Sequence, residues 1–220
     1  MFNTKRSGER VYFTDFDGTV TLTDTTIAMV ETCVGDGWEE INRRWENGES
    51  TTLETAQKTF ELFRCTWQEI VANIQDIQID KQFKFFVEQV EKRNEKLYIV
   101  SDGYEALIKQ ILNREGLEHL PVYANSFTID KKGKFYMWAP YYNDSCGECG
   151  SCKTNVITEI ASQYQNFPEI VYIGDGYSDR CAIEAADRVL AKEKLYNIAI
   201  EKQIPAEKIN DFNQAIDKLF

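Results

Sequence analysis

The stretch FTDFDGTVTLTDTT (residues 13–26) decides how the rest of the chain is read. With the preceding RVY it forms a β-branched and aromatic run, the composition of a buried strand, and that run stops at two aspartates one residue apart, Asp15 and Asp17, followed by Gly18 and Thr19. A strand end that sets two carboxylates side by side invites charge repulsion unless something positive joins them. The same pattern returns twice. KLYIVSDG (residues 96–103) is an apolar run ending in Ser101, Asp102 and Gly103, and EIVYIGDGYSD (residues 169–179) ends in Asp175 and Asp179.

Between these runs the apolar residues change to helical spacing. Segments 25–34, 37–48, 51–63, 66–74 and 81–95 carry them three and four apart, and TTLETAQKTFELF opens on Thr with Glu54 nearby, a helix start. EALIKQILNREG is a helix closed by Gly116, and VYANSFTIDKKGKFYMWAP is a hairpin-like excursion. TNVITEIASQY is a helix entered at Lys153. RCAIEAAD is a short helix, RVLAK a fourth strand, and YNIAIEKQI and NDFNQAIDKLF are helical. Strands alternating with helices imply an α/β fold, a doubly wound parallel sheet with right-handed crossovers. The helix-only block 24–82 is expected to form a small cap on a core built from 1–23 and 83–220.

The net charge of −11 disfavours nucleic acid or an anionic membrane surface as partner, since both need a basic face. No apolar run is long enough to span a bilayer, and MFNTKRSGER lacks the apolar centre of a signal peptide, so the expected location is the cytoplasm, as a monomer or homodimer. The six cysteines are an even count, but a chain of this size does not need them as staples, and they read as thiols or metal ligands before disulfides.

In an open parallel sheet, ligands sit outside the carboxyl ends of the strands. Asp15, Asp17, Ser101, Asp102, Gly103, Asp175 and Asp179 therefore converge on one crevice, with Lys153 entering from a helix start. Crowded carboxylates suit Mg²⁺, and a cation with a lysine, a hydroxyl and backbone N–H groups suits a phosphate.

DFDGT, VSDG, the helix-opening lysine and GDGYSD, in this order and spacing, resemble the four motifs of the haloacid dehalogenase superfamily, most of whose members are Mg²⁺-dependent phosphatases. The insert after the first motif resembles the helical C1 cap of its phosphoserine-phosphatase-like branch. CGECGSCK (residues 146–153) resembles the methionine-salvage phosphatases, which act on 2-hydroxy-3-keto-5-methylthiopentenyl-1-phosphate; phosphocholine and phosphoethanolamine phosphatases carry similar cysteines. The resemblance implies a small phosphorylated metabolite as substrate. It implies Asp15 as nucleophile, Asp17 as general acid and base, and Mg²⁺ held by Asp15, the Asp17 carbonyl and Asp175. Ser101 and Lys153 would hold the phosphoryl group, helped by the N–H groups of Asp102 and Gly103, with Asp179 orienting Lys153 or a metal-bound water.

Plainer readings stand beside these. Asp179 is also placed to cap the helix at RCAIEAAD, and Asp24 to cap TTIAMV or to contact substrate. Trp38, Trp45 and Trp67 read as core, and His119 as an exposed loop residue. A phosphoserine substrate wants an arginine for its carboxylate; Arg64 is near in sequence, while the branch's arginine position falls around Thr59. Cys146, Cys149 and Cys152, with Cys181, fit a structural Zn²⁺ site; a disulfide within the string, or unligated thiols, are the alternatives. A non-catalytic phosphate-binding module on the same fold is the rival functional class, but it has no use for Asp17 or for a cap of this size.

Overall fold

The protein is described here by a computed structural model covering residues 8–145, 147 and 149–220, with only the backbone of residue 46. Strand β1 (Arg10–Thr14) leads into four helices, α1 (Thr25–Cys33), α2 (Trp38–Glu46), α3 (Thr52–Glu61) and α4 (Trp67–Ile74). The chain continues through α5 (Phe83–Lys92), β2 (Lys96–Tyr104), α6 (Glu105–Arg114), β3 (Val122–Ile129) and β4 (Phe135–Trp138). It ends with α7 (Lys153–Ser162), β5 (Glu169–Gly174), β6 (Arg188–Ala191), α8 (Glu193–Glu201), β7 (Glu207–Lys208) and α9 (Phe212–Leu219).

The strands form one seven-stranded sheet in the order β4-β3-β2-β1-β5-β6-β7, parallel except for the β3–β4 pair. The chain leaves β1 toward β2 on one side and returns to β5 on the other, so the order reverses beside β1. Alternation along the strands feeds two cores. Tyr12, Ile99, Val171, Ile173 and Leu190 point to one face, packed by α5, α6 and α9. Val11, Phe13, Val100, Tyr172 and Val189 point to the other, packed by α7 and α8. The doubly wound reading holds for that reason: each central strand is apolar on both sides.

Segment 24–82 folds as the four expected helices. Thr51 and Thr66 each form a capping box, with Glu54 and Glu69. Met29, Val30, Phe60, Phe63, Ile70 and Ile74 belong to the same apolar cluster as the Tyr12 face of the sheet, so these helices share a core with the sheet.

Three local readings change. The first strand of the hairpin excursion is part of the main sheet: Val122 and Tyr123 pair parallel with β2, and from Ser126 onward β3 pairs antiparallel with β4. The short helix at RCAIEAAD is only a 3₁₀ turn, Ala182–Ala185. The two-residue strand β7 was not expected; it lies just beyond Pro205, where the chain cannot continue as helix.

A disulfide joins Cys33 to Cys65 across 32 residues, tying the end of α1 to the segment before α4, where the Arg64 N–H also donates to the Cys33 carbonyl. This corrects the reading of all six cysteines as thiols or ligands. Nothing in the local spacing of two distant cysteines signals a bond that tertiary packing creates. Disulfides belong to oxidising surroundings, so this bond does not fit the cytoplasmic expectation. Closing a loop of this length is worth about 4 kcal/mol in the chain-entropy account. Cys65→Ser, or dithiothreitol on the parent protein, is therefore expected to lower Tm on the order of 10 °C in scanning calorimetry. A midpoint indifferent to reductant would show that the bond does not hold the helices.

Candidate active site

The β1 run ends in a turn that aims its carboxylates. The Asp15 N–H still bonds to the Ile173 carbonyl on β5, and the Phe16 carbonyl then takes the N–H groups of Thr19, Val20 and Thr21. Gly18 sits at φ +75°, where a Cβ would also lie 2.6 Å from an Asp175 oxygen, so only glycine lets the two strand ends approach. Thr19 Oγ1 donates to Asp175 Oδ1 at 2.8 Å, and Lys192, at the end of β6, holds the Gly18 and Thr19 carbonyls. Asp17 turns toward the helices: its Oδ1 accepts the Thr25 N–H at 2.7 Å. Asp24 caps α1 by accepting from the Ile27 N–H, which settles its structural role, and it also lines the cavity.

Beyond β1 on the other side, Ser101 is buried and its Oγ accepts the Gly103 N–H. That N–H is therefore already engaged, while the serine hydroxyl hydrogen stays available to a ligand. Gly103 leaves room for Asp17, whose Oδ2 would lie 2.4 Å from any Cβ there. The Asp102 carboxylate takes the Ser151 N–H, and its carbonyl takes the Asn125 amide.

Lys153, first residue of α7, is 3% exposed and reaches Asp15 Oδ1 at 2.8 Å, Asp179 Oδ1 at 2.6 Å and Ser178 Oγ at 3.3 Å. Asp179 is fully buried and also accepts from the Tyr172 hydroxyl and from the N–H groups of Asp175 and Gly176. It does not cap the 182–185 turn.

Burial sets the protonation of the cluster. It raises Asp15 well above the ordinary carboxylate range, with Asp179 adding to the rise and Lys153 opposing it. Burial, with Asp24 adding, pushes Asp17 to about 7. Burial also raises Asp102 and Asp175. For Lys153 burial acts downward, but the charges of Asp15, Asp179 and Asp102 outweigh it and hold the ammonium above its usual range.

Oxygens of Asp15, Asp175 and Asp179 lie within 4.8 Å of one another, the single such group of three found among the described residues. Asp179 has its oxygens taken by four donors, so Asp15 and Asp175 are the carboxylates left to a hard cation, and their all-oxygen character fits Mg²⁺. Asp17, with its raised folded-state pKa, favours the folded protein below its unfolded value near 4, and this contribution disappears as pH rises through about 7; the raised Asp15, Asp102 and Asp175 act in the same direction. A bound divalent cation opposes that loss. Saturating Mg²⁺ is thus expected to raise Tm more at about pH 8 than at about pH 5, and an equal shift at both would contradict this charge balance.

The cysteine site fares differently. Cys146 lies outside the described residues; Cys149 and Cys152 are buried, and Cys181 does not join them in a three-ligand group. Nothing among the described residues supports the Zn²⁺ reading.

A cavity of about 550 Å³ opens between the strand ends and α1–α3. Asp15, Asp17, Ser101, Asp102, Gly103 and Asp175 line its floor, with Lys153 and Asp179 behind them. Ile27, Val30, Trp38, Phe60, Tyr104 and Met137 give it an apolar wall. Trp45, at the rim, meets Tyr177 edge-on at 6.1 Å. Trp38 and Trp67 both pack against the core, as the sequence suggested, but Trp38 also lines the cavity, and Trp45 faces the cavity. Among the described lining residues Lys194 is the one cationic side chain, and none is arginine. Arg64 is spent on the Glu61 and Phe63 carbonyls, Thr59 lines the cavity, and His119 pairs with Glu91 on the surface. Sequence reading missed Thr19, Asn125, Tyr172, Lys192 and Lys194. Lys192 was findable as the polar end of the fourth strand; the others carry no local signal.

A family model described as “Putative Phosphatase” matches residues 10–210. A 2-hydroxy-3-keto-5-methylthiopentenyl-1-phosphate phosphatase of Brevibacillus brevis (strain 47) is 26% identical over 96% of this chain and 95% of its own. An enzyme of the same description from Bacillus pumilus (strain SAFR-032) is 28% identical over 83% of this chain and 79% of its own. A solved phosphoserine phosphatase with a phospho-aspartyl intermediate analogue superposes with a TM-score of 0.77 at 17% identity, covering 98% of this chain and all of that one, and so shares the fold.

Proposed function

The chain belongs to the “Putative Phosphatase” family and has the fold of haloacid dehalogenase-type phosphatases, and from that premise we propose that it hydrolyses a small phosphorylated metabolite with an uncharged, partly apolar body, 2-hydroxy-3-keto-5-methylthiopentenyl-1-phosphate. The chemistry is phosphoric monoester hydrolysis in two displacements at phosphorus. Asp15 attacks, the bond to the leaving oxygen breaks, and Asp17, its pKa pushed up to about 7 and so partly protonated at neutral pH, gives that oxygen a proton. Asp17, now ionised, takes a proton from water as the water attacks phosphorus, releasing phosphate and leaving Asp15 a carboxylate and Asp17 a carboxylic acid again.

Lys153 fixes Asp15 through Oδ1 and neutralises charge growing on the phosphoryl oxygens, and the Ser101 hydroxyl donates to one of them. Asp15, Asp175 and the Asp17 carbonyl would hold Mg²⁺, which when bound supplies further positive charge against the phosphoryl oxygens. The helices over the cavity, block 24–82, act as the cap that excludes water.

The observation that carries the substrate is the cavity wall. It offers Ile27, Val30, Trp38, Phe60 and Met137 to the body of the molecule, and no arginine among the described lining residues to a carboxylate. A methylthio-alkyl tail gains by that burial, whereas the charged end of phosphoserine is left without a bidentate partner. The test is kcat/KM for the methylthiopentenyl phosphate against phosphoserine, phosphocholine and phosphoethanolamine. The expected ratio is at least about 100-fold in favour of the first, the scale on which an apolar pocket discriminates between substrates. A preference for phosphoserine would overturn this substrate and leave the phosphatase standing.

A further inference from the structure

We infer that Tyr172 is a positioning residue for this reaction: its hydroxyl, acting through Asp179, sets how Lys153 is shared between Asp179 and the reacting centre. The inference rests on the reading of Lys153 as the residue that holds the phosphoryl group.

Tyr172 lies in the middle of β5 and is fully buried. Its hydroxyl donates to Asp179 Oδ1 at 2.5 Å, the same oxygen that receives Lys153 Nζ at 2.6 Å. The other Asp179 oxygen takes two backbone N–H groups, so the carboxylate cannot turn without breaking several bonds. The chain is pared to glycine where these groups meet. A Cβ on Gly174 would lie 2.5 Å from Asp179 Oδ2 and 2.9 Å from the Tyr172 ring. Lys153 is thus held between two carboxylates, Asp179 behind it and Asp15, 2.8 Å away, in front.

A donor on Asp179 Oδ1 withdraws electron density from the oxygen competing for the ammonium. Without it, Asp179 binds Lys153 more tightly, and the ammonium is less available to Asp15 and to the charge that grows on phosphorus. A buried tyrosine needs some acceptor in any case, so partnership alone proves nothing. The distinguishing feature is which acceptor it takes. Tyr12 supplies the contrast: equally buried, on neighbouring β1, it points to the opposite face and donates to Glu95 at 2.8 Å, away from the cavity.

The experiment compares the parent protein, Tyr172→Phe and Tyr12→Phe below the lowest Tm of the three. It follows p-nitrophenyl phosphate hydrolysis with Mg²⁺, inhibition by inorganic phosphate, and thermal unfolding. Tyr172→Phe is expected to lower kcat/KM roughly ten- to a hundredfold, the weight of one hydrogen bond to a charged group. Most of that loss falls in kcat, and the inhibition constant of phosphate rises with it. Tyr12→Phe is expected to lose comparable stability with unchanged kinetics. If Tyr172→Phe stays within about twofold of Tyr12→Phe in both kinetic measures, or does not fold, the hydroxyl serves the core and the inference is overturned. A parent protein that releases no phosphate would instead bring down the phosphatase reading, and this inference with it; failure of Tyr172→Phe alone leaves that reading intact.

Discussion

Asp15→Asn loses at least about 10⁴-fold in kcat while keeping its fold, the scale on which removal of a covalent nucleophile is felt in other hydrolases. The amide has nearly the shape of the carboxylate, and its Oδ1 still accepts from Lys153. What it lacks is the charge and the lone-pair basicity to displace an oxygen at phosphorus. Stability should rise slightly in the absence of metal, because Asp15 is buried against Asp179 and Asp175 and its charge is resisted there. Steady-state kinetics beside a melting curve check both halves of the statement. A variant slowed only a few fold would remove Asp15 from the nucleophile role.

Asp17→Asn loses about 10²–10⁴-fold with a poor leaving group and much less with a good one. The site's geometry separates the two steps. Oδ1 is fixed by the Thr25 N–H, which an asparagine carbonyl can also accept, so the side chain keeps its place. The second position, opposite Gly103, then carries an amide that cannot exchange a proton. A phenolate stabilised by a nitro group leaves without protonation; an alkoxide does not. Attack of water needs a base in either case, so release of phosphate from Asp15 is slowed for every substrate. The check is the ratio of first-turnover rates for p-nitrophenyl and alkyl phosphates in the variant and the parent. An unchanged ratio would place proton transfer on another group.

Much of this arrangement is legible in the sequence because it depends on local rules. Each strand that ends in polar residues does so at the carboxyl edge of a parallel sheet, and the strand order then brings Asp15, Ser101 and Asp175 together. Gly18 and Gly103 stand where close approach of Asp175 and Asp17 requires them. What was not legible depends on contacts between distant segments. Cys33 and Cys65 are paired by the packing of α1 against the segment before α4. Tyr172 is one more aromatic residue in an apolar strand until Asp179 folds back on it. Trp38 and Trp45 have the spacing of core residues, and only the opening between sheet and helices gives them a ligand-facing side. Asn125 sits in a segment read as an isolated hairpin, and its role beside Asp102 appears only once β3 joins the main sheet.

The central claim is that phosphate passes through Asp15. Acid-quenched Asp17→Asn, mixed with p-nitrophenyl phosphate and Mg²⁺, tests it most directly by peptide mass spectrometry. The expected result is a phosphate adduct approaching one per chain on the peptide that contains Asp15, absent from the Asp15→Asn, Asp17→Asn double variant. Phosphate retained on any other residue, or full turnover with no retained phosphate, would contradict the account.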